Sequence, residues 1–143
     1  MLLLCAAGVT TLAVGSLLDP HLPPVAVDLV GRSGATVERL RTQMAVTRYQ
    51  WWRGLQGRTR LQAGTGMLFD FREPSHVCLW MLHTPVPLQA LFFDGARRLV
   101  GSAVMTPQSL QTHCPRPLVR YAIEISPGVV DASEISRFAF GNY

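Results

Sequence analysis

"LQALFFDGARRLVGSAVM", residues 88–105, is two apolar runs folded about "DGAR", and reads as a β-hairpin. Working outward, the same grammar recurs. "VAVDLVG" (25–31) puts Val25, Val27 and Leu29 on one face, the period of a half-buried strand. "RSG" then turns into "ATVERLRTQMAV" (35–46), where Leu40, Thr42, Met44 and Val46 alternate with Arg39, Arg41 and Gln43. "MLFDF" (67–71), "HVCLWML" (76–82) and "LVRYAIEIS" (118–126) alternate likewise, and "RFAFGNY" ends the chain as a last strand. Asp94 in the 94–97 turn is expected to cap its own backbone.

The period changes once, at Thr47. "TRYQ" matches a capping box, with Thr47 covering the first-turn amides and Gln50 reaching back. A short helix follows, with Tyr49, Trp52 and Leu55 on one side and Gly54 and Gly57 at its end. It reads as a lid over one open end of a β core with Trp52 as the plug, rather than as a ligand platform. The whole pattern is mainly β: seven or eight short strands with one short helix, in a sandwich or barrel.

The 143 residues suit one domain over 25–143, preceded by an apolar segment at 1–18 and a Pro-rich linker at 19–24. Charged residues are only 15% of the chain, thin against about 25% in ordinary soluble domains. All thirteen basic residues are arginine. Arg39/Arg41 and Arg97/Arg98 are pairs rather than runs, without aromatics interleaved, which argues against a nucleic-acid groove.

"MLLLCAAGVTTLAVGSLL" carries no charge before Asp19, as in a secretory signal or membrane anchor. As a helix it would span about 27 Å, just short of a ~30 Å hydrocarbon layer. The basic residues that ordinarily precede such a core are missing, so an arm buried against protein is the alternative. Export to the periplasm, or membrane association through this segment, is the expectation for location. Cys78 and Cys114 form an even pair for which a disulfide is permitted and not required; two separate thiols are the favoured reading.

The blocks "RGLQGRTRLQAGTGMLFDF" (53–71), "LWMLHTPVPLQALFFD" (79–94) and "RYAIEISPG" (120–128) together resemble the DUF192 (UPF0127) family. The resemblance runs from about Val25 to Gly128. It implies a compact jelly-roll-like β sandwich with a short helix, often exported, and no established activity. In that family Asn usually stands where this chain has His83, and Asp where it has Gln89. It also makes Trp80, Met81, Thr84, Pro87 and Leu88 a shared structural corner.

For chemistry, His76, Cys78, His83, His113 and Cys114 lack metal-ligand spacing, so neither a metal nor another cofactor is expected. Cys78 sits in an apolar run and reads as a buried hydrophobe rather than a nucleophile. Neither a phosphate loop nor a nucleophile elbow is present. Arg58, His83, Thr84, Gln89 and Glu124, with Trp52, form the best candidate binding cluster. Glu124 is placed on a polar strand face, in reach of an arginine. The resulting expectation is a non-enzymatic exported or membrane-tethered module that binds a partner protein or small ligand. A structural subunit of a larger assembly, such as a membrane complex or virion, is the alternative, and an enzyme built on His83 the third reading.

Overall fold

The computed structural model describes residues 21–142; the 1–18 segment falls outside the described residues. Seven strands form one sheet: β1 (Pro24–Gly31), β2 (Thr36–Ala45), β3 (Thr65–Ser75), β4 (Leu88–Phe93), β5 (Leu99–Met105), β6 (Val119–Ile125) and β7 (Ile135–Phe140). The one α-helix among the described residues, α1 (Arg48–Arg53), carries the chain from β2 to β3. Strand order is β5-β4-β6-β3-β2-β1-β7. Only β2 and β3 pair in parallel, because α1 and its loop return the chain to the end where β2 began. Among the described residues, no helix is long and apolar enough to cross a membrane.

The sheet curls into a half-barrel. Phe93 of β4 and Phe138 of β7 stand far apart in strand order, yet their rings meet edge to face at 4.9 Å. The edges also touch where the Phe138 amide donates to the Arg97 carbonyl at 3.0 Å. The concave face therefore holds one dry core of Val27, Leu29, Leu40, Leu68, Leu91 and Ile123 with these two rings. At about 25 cal/mol per Å², each large side chain removed from water there contributes on the order of 2 kcal/mol.

The outer face is buried too, against other parts of the chain. Met67, Phe69, Ala90, Phe92 and Ala122 pack under Leu55, Val77, Met81 and Val86. Burial on both faces explains why every residue of β4 is inaccessible and why Gln43 and Ala45 are buried beside the inward Thr42.

Both expected hairpins are present. Val27 pairs with Leu40 in β1–β2 and Leu91 with Ser102 in β4–β5. Asp94 accepts the amides of Ala96 and Arg98, both at 2.9 Å, and so closes its own turn.

The 76–82 stretch departs from expectation: it is not a strand of the sheet. β4 already has β5 and β6 as neighbours, so no edge beside it remains for this segment. It lies instead as an extended strap over the outer face. The Leu79 amide donates to His113 and the Met81 amide to Ser109, at 3.0 and 3.1 Å. Its alternation survives, with Val77 and Met81 inward and Trp80 outward.

Candidate functional site

Between α1 and the strap lies a cleft of about 220 Å³. Three pieces of chain build it. The sheet supplies Phe69, Phe71 and Glu124; α1 and the turn after it supply Trp51, Trp52, Arg53 and Gln56; the strap supplies Cys78, Trp80, Leu82 and Thr84.

Local chemistry fixes each wall. The capping box forms as expected, with Thr47 Oγ1 accepting from the Gln50 amide at 3.2 Å and Gln50 Oε1 accepting from the Thr47 amide at 3.0 Å. Gly54 then ends the helix at φ 46°, a value that favours glycine. Trp51, not Trp52, is the anchored tryptophan: its indole donates to the Ala45 carbonyl at 3.1 Å and its ring meets Phe71 edge-on at 5.4 Å. Because the helix stops after six residues, Leu55 lies beyond it and the three-residue spacing from Trp52 has no helical face to mark. Trp52 is 54% exposed and stands at the cleft mouth with Trp80, 42% exposed.

The strap is fastened at both ends. Cys78 and Cys114 are joined as a disulfide across 36 residues and Cys78 is exposed, so neither the two separate thiols nor the buried Cys78 expected from the sequence is found. At the other end, the Thr84 amide donates to the Met81 carbonyl at 3.1 Å, and the Thr84 hydroxyl to the Leu82 carbonyl at 3.2 Å. His83 sits third in this turn at φ 53°. Asn and His tolerate that left-handed region better than most residues, which accounts physically for Asn at this position in the family pattern. The His83 carbonyl accepts the Gly57 amide at 2.8 Å and ties the strap to the α1 loop. Its contribution is made by the backbone, and its exposed side chain is not among the cleft-lining residues.

Glu124 is the unusual group. It sits in a row with Met67 and Ala90 across three strands and is only 4% exposed. The arginine partner expected of it is absent: neither a hydrogen bond nor an ion pair reaches its carboxyl among the described residues. Burial alone pushes its pKa up to about 8. Gly66 helps to set its position, since a Cβ there would run into the Glu124 carbonyl oxygen and the Ile125 side chain.

Of the expected cluster, the fold brings Trp52, Thr84 and Glu124 together. Gln89 pairs with Ile125, one residue out of step with Glu124, and therefore faces the concave core. Its Oε1 is buried without a partner among the described residues. Arg58 reaches Gln43 Oε1 at 3.4 Å rather than the cleft. In the structural corner Met81 and Leu88 are buried, Pro87 is exposed, and Trp80 turns toward the cleft. Trp51, Phe69, Phe71 and Arg53 escaped the reading of the sequence. The adjacent tryptophans were the one available signal, and alternation could not say which of the pair faces inward.

No curated protein matches the chain. Solved structures share its fold, among them the following two. One is from Sinorhizobium meliloti 1021 and is provisionally described as a transcription regulator. It is 29% identical, with a TM-score of 0.80, over 86% of this chain and 98% of that one. The other is a protein of unknown function from Novosphingobium aromaticivorans DSM 12444, 25% identical with a TM-score of 0.76, over 85% and 90% of the two chains. The DUF192 family model, described as uncharacterized ACR, matches residues 29–137. With that match across most of its length and the same fold in its neighbours, the chain belongs to the DUF192 family.

Proposed function

We propose that this protein is a non-enzymatic, exported β module that binds a small ligand in the cleft between α1 and the strap. One observation carries the reading: Glu124 is buried there among aromatic side chains with no partner among the described residues. Removing much of the water around a carboxyl disfavours its charged form, and an apolar residue of similar size at the same place would avoid that cost. A ligand group that satisfies the carboxyl offsets it.

The other lining groups favour binding over catalysis. Cys78 is held in the disulfide and the Thr84 hydroxyl donates to the backbone. A second carboxylate or a histidine is not found beside Glu124 in the lining. The concave shape and small volume of the cleft, about 220 Å³, also favour a small ligand over a flat protein partner. Export is supported by the uncharged 1–18 segment and by a disulfide, which persists in oxidising compartments.

The test is an NMR fragment screen that follows the three tryptophan indoles. Fragments should shift the Trp51, Trp52 and Trp80 signals in the oxidised wild type, and Glu124→Leu should abolish those shifts in a protein at least as stable. If no fragment moves these signals, or if Glu124→Leu binds as the wild type does, the reading fails.

A further inference from the structure

Resting on the small-ligand reading, we infer that the cleft selects a small organic nitrogen cation bearing N–H donors, an alkylammonium or alkylguanidinium, with Glu124 as its counter-ion. Two independent features converge on this chemistry. The first is a carboxyl aimed into the cleft with its acceptor oxygens unclaimed by any described residue. The second is the wall around it, formed by the rings of Trp51, Trp52, Trp80, Phe69 and Phe71. Aromatic faces attract cations through their quadrupole, and the attraction grows as water is excluded.

Competing ligand classes fit poorly. A sugar needs many hydrogen-bonding side chains, whereas Gln56 donates to the Trp52 carbonyl at 2.7 Å and Thr84 to Leu82. An anion would meet the buried carboxyl, and its attraction would fall to Arg53, which is solvent-exposed. For a metal ion, no group of three His, Cys, Asp or Glu occurs among the described residues. The chain contains no lysine, so its own side chains cannot supply an ammonium.

Binding of a cation is coupled to a proton. With its pKa pushed up to about 8 by burial, Glu124 holds its proton at neutral pH, and the cation binds the ionised form. Affinity therefore rises with pH and levels off above about 8. The groups around the carboxyl leave this titration to Glu124. Met67, Phe69 and Ala90 of the sheet are uncharged, Arg53 is the other charged side chain of the lining, and Cys78 is in the disulfide. His76 and His83 of the strap are exposed and outside the lining.

The experiment titrates the oxidised protein with butylammonium, butylguanidinium, 1-butanol and butyrate at constant ionic strength, following the tryptophan indoles at pH 6.5, 7.5 and 8.5. A cation should bind about twenty-fold more tightly at pH 8.5 than at 6.5, from single-proton linkage, and at least tenfold more tightly than 1-butanol at pH 8.5. Glu124→Gln should remove both differences, while the pH series on the wild type needs no variant. If 1-butanol or butyrate shifts the indoles as strongly as the cations, the cleft binds ligands but the cation inference is overturned. If none of the four shifts them, the inference falls, and the fragment screen above then decides whether the ligand reading falls with it.

Discussion

The two faces of the sheet are buried in different ways. The concave face is closed by the sheet itself: curling brings Phe93, Tyr121 and Phe138 into edge-to-face contact, with centroids 4.9 and 5.2 Å apart. The outer face is closed by a six-residue helix and a strap, two narrow covers that leave a gap between them. A sheet that covers itself excludes water continuously, whereas separate covers leave an opening. Each face of the sheet also buries polar side chains, Thr42 and Gln89 within and Gln43 and Glu124 without. Only Glu124 opens to the cleft, so only there can a ligand satisfy it.

The sharpest break in this contrast is Phe138→Ala. It removes the ring that joins β7 to β4 and should cost about 3–5 kcal/mol, measured by urea unfolding. An outcome below about 1 kcal/mol would mean that the concave face is not self-closed.

Removing the disulfide tests the other face. Cys78→Ser with Cys114→Ser should destabilise the protein by roughly 2–4 kcal/mol through chain entropy. Hydrogen exchange should quicken at the Leu79 and Met81 amides, which donate to the 106–114 loop, and leave Leu29 and Ile123 protected. Uniform quickening across both faces would show that the strap is integral to the inner core as well.

A pH series separates Glu124 from Gln89. Glu124 has a folded pKa of about 8 against an ordinary 4.5, so the folded state keeps a proton that the unfolded chain releases. Its contribution is fully present below pH 4.5, and is lost as pH rises to about 8, at up to about 1.4 kcal/mol per pH unit. Glu124→Gln should flatten that slope, and Gln89→Leu should leave it unchanged. A wild-type stability curve with the same slope in Glu124→Gln would place the titration elsewhere.

How much of this could be read beforehand follows physical range. The capping box of Thr47 and Gln50, the Asp94 turn and the β1–β2 and β4–β5 hairpins depend on residues within a few positions of one another. That Trp80 and Met81 lie on opposite faces was equally legible, since alternation is a property of extended backbone. Alternation reports which side chains share a face and nothing about which strand receives the hydrogen bonds, so 76–82 looked like a strand and proved to be a strap. The same limit hid the place of Glu124. Its neighbours on β6 alternate as for a half-wet strand, and only distant elements, α1 and the strap, remove the second face from water.

Local rules in the chain thus settled the mainly-β character, the hairpins, the helix start and the family, because turn chemistry, capping and side-chain periodicity act over a few residues. Tertiary packing alone decided that Trp51 rather than Trp52 turns inward, that Cys78 meets Cys114, and that Glu124 is largely buried without a counter-charge among the described residues. Those three outcomes depend on contacts between segments distant in sequence, formed only once the sheet has curled and its covers have closed.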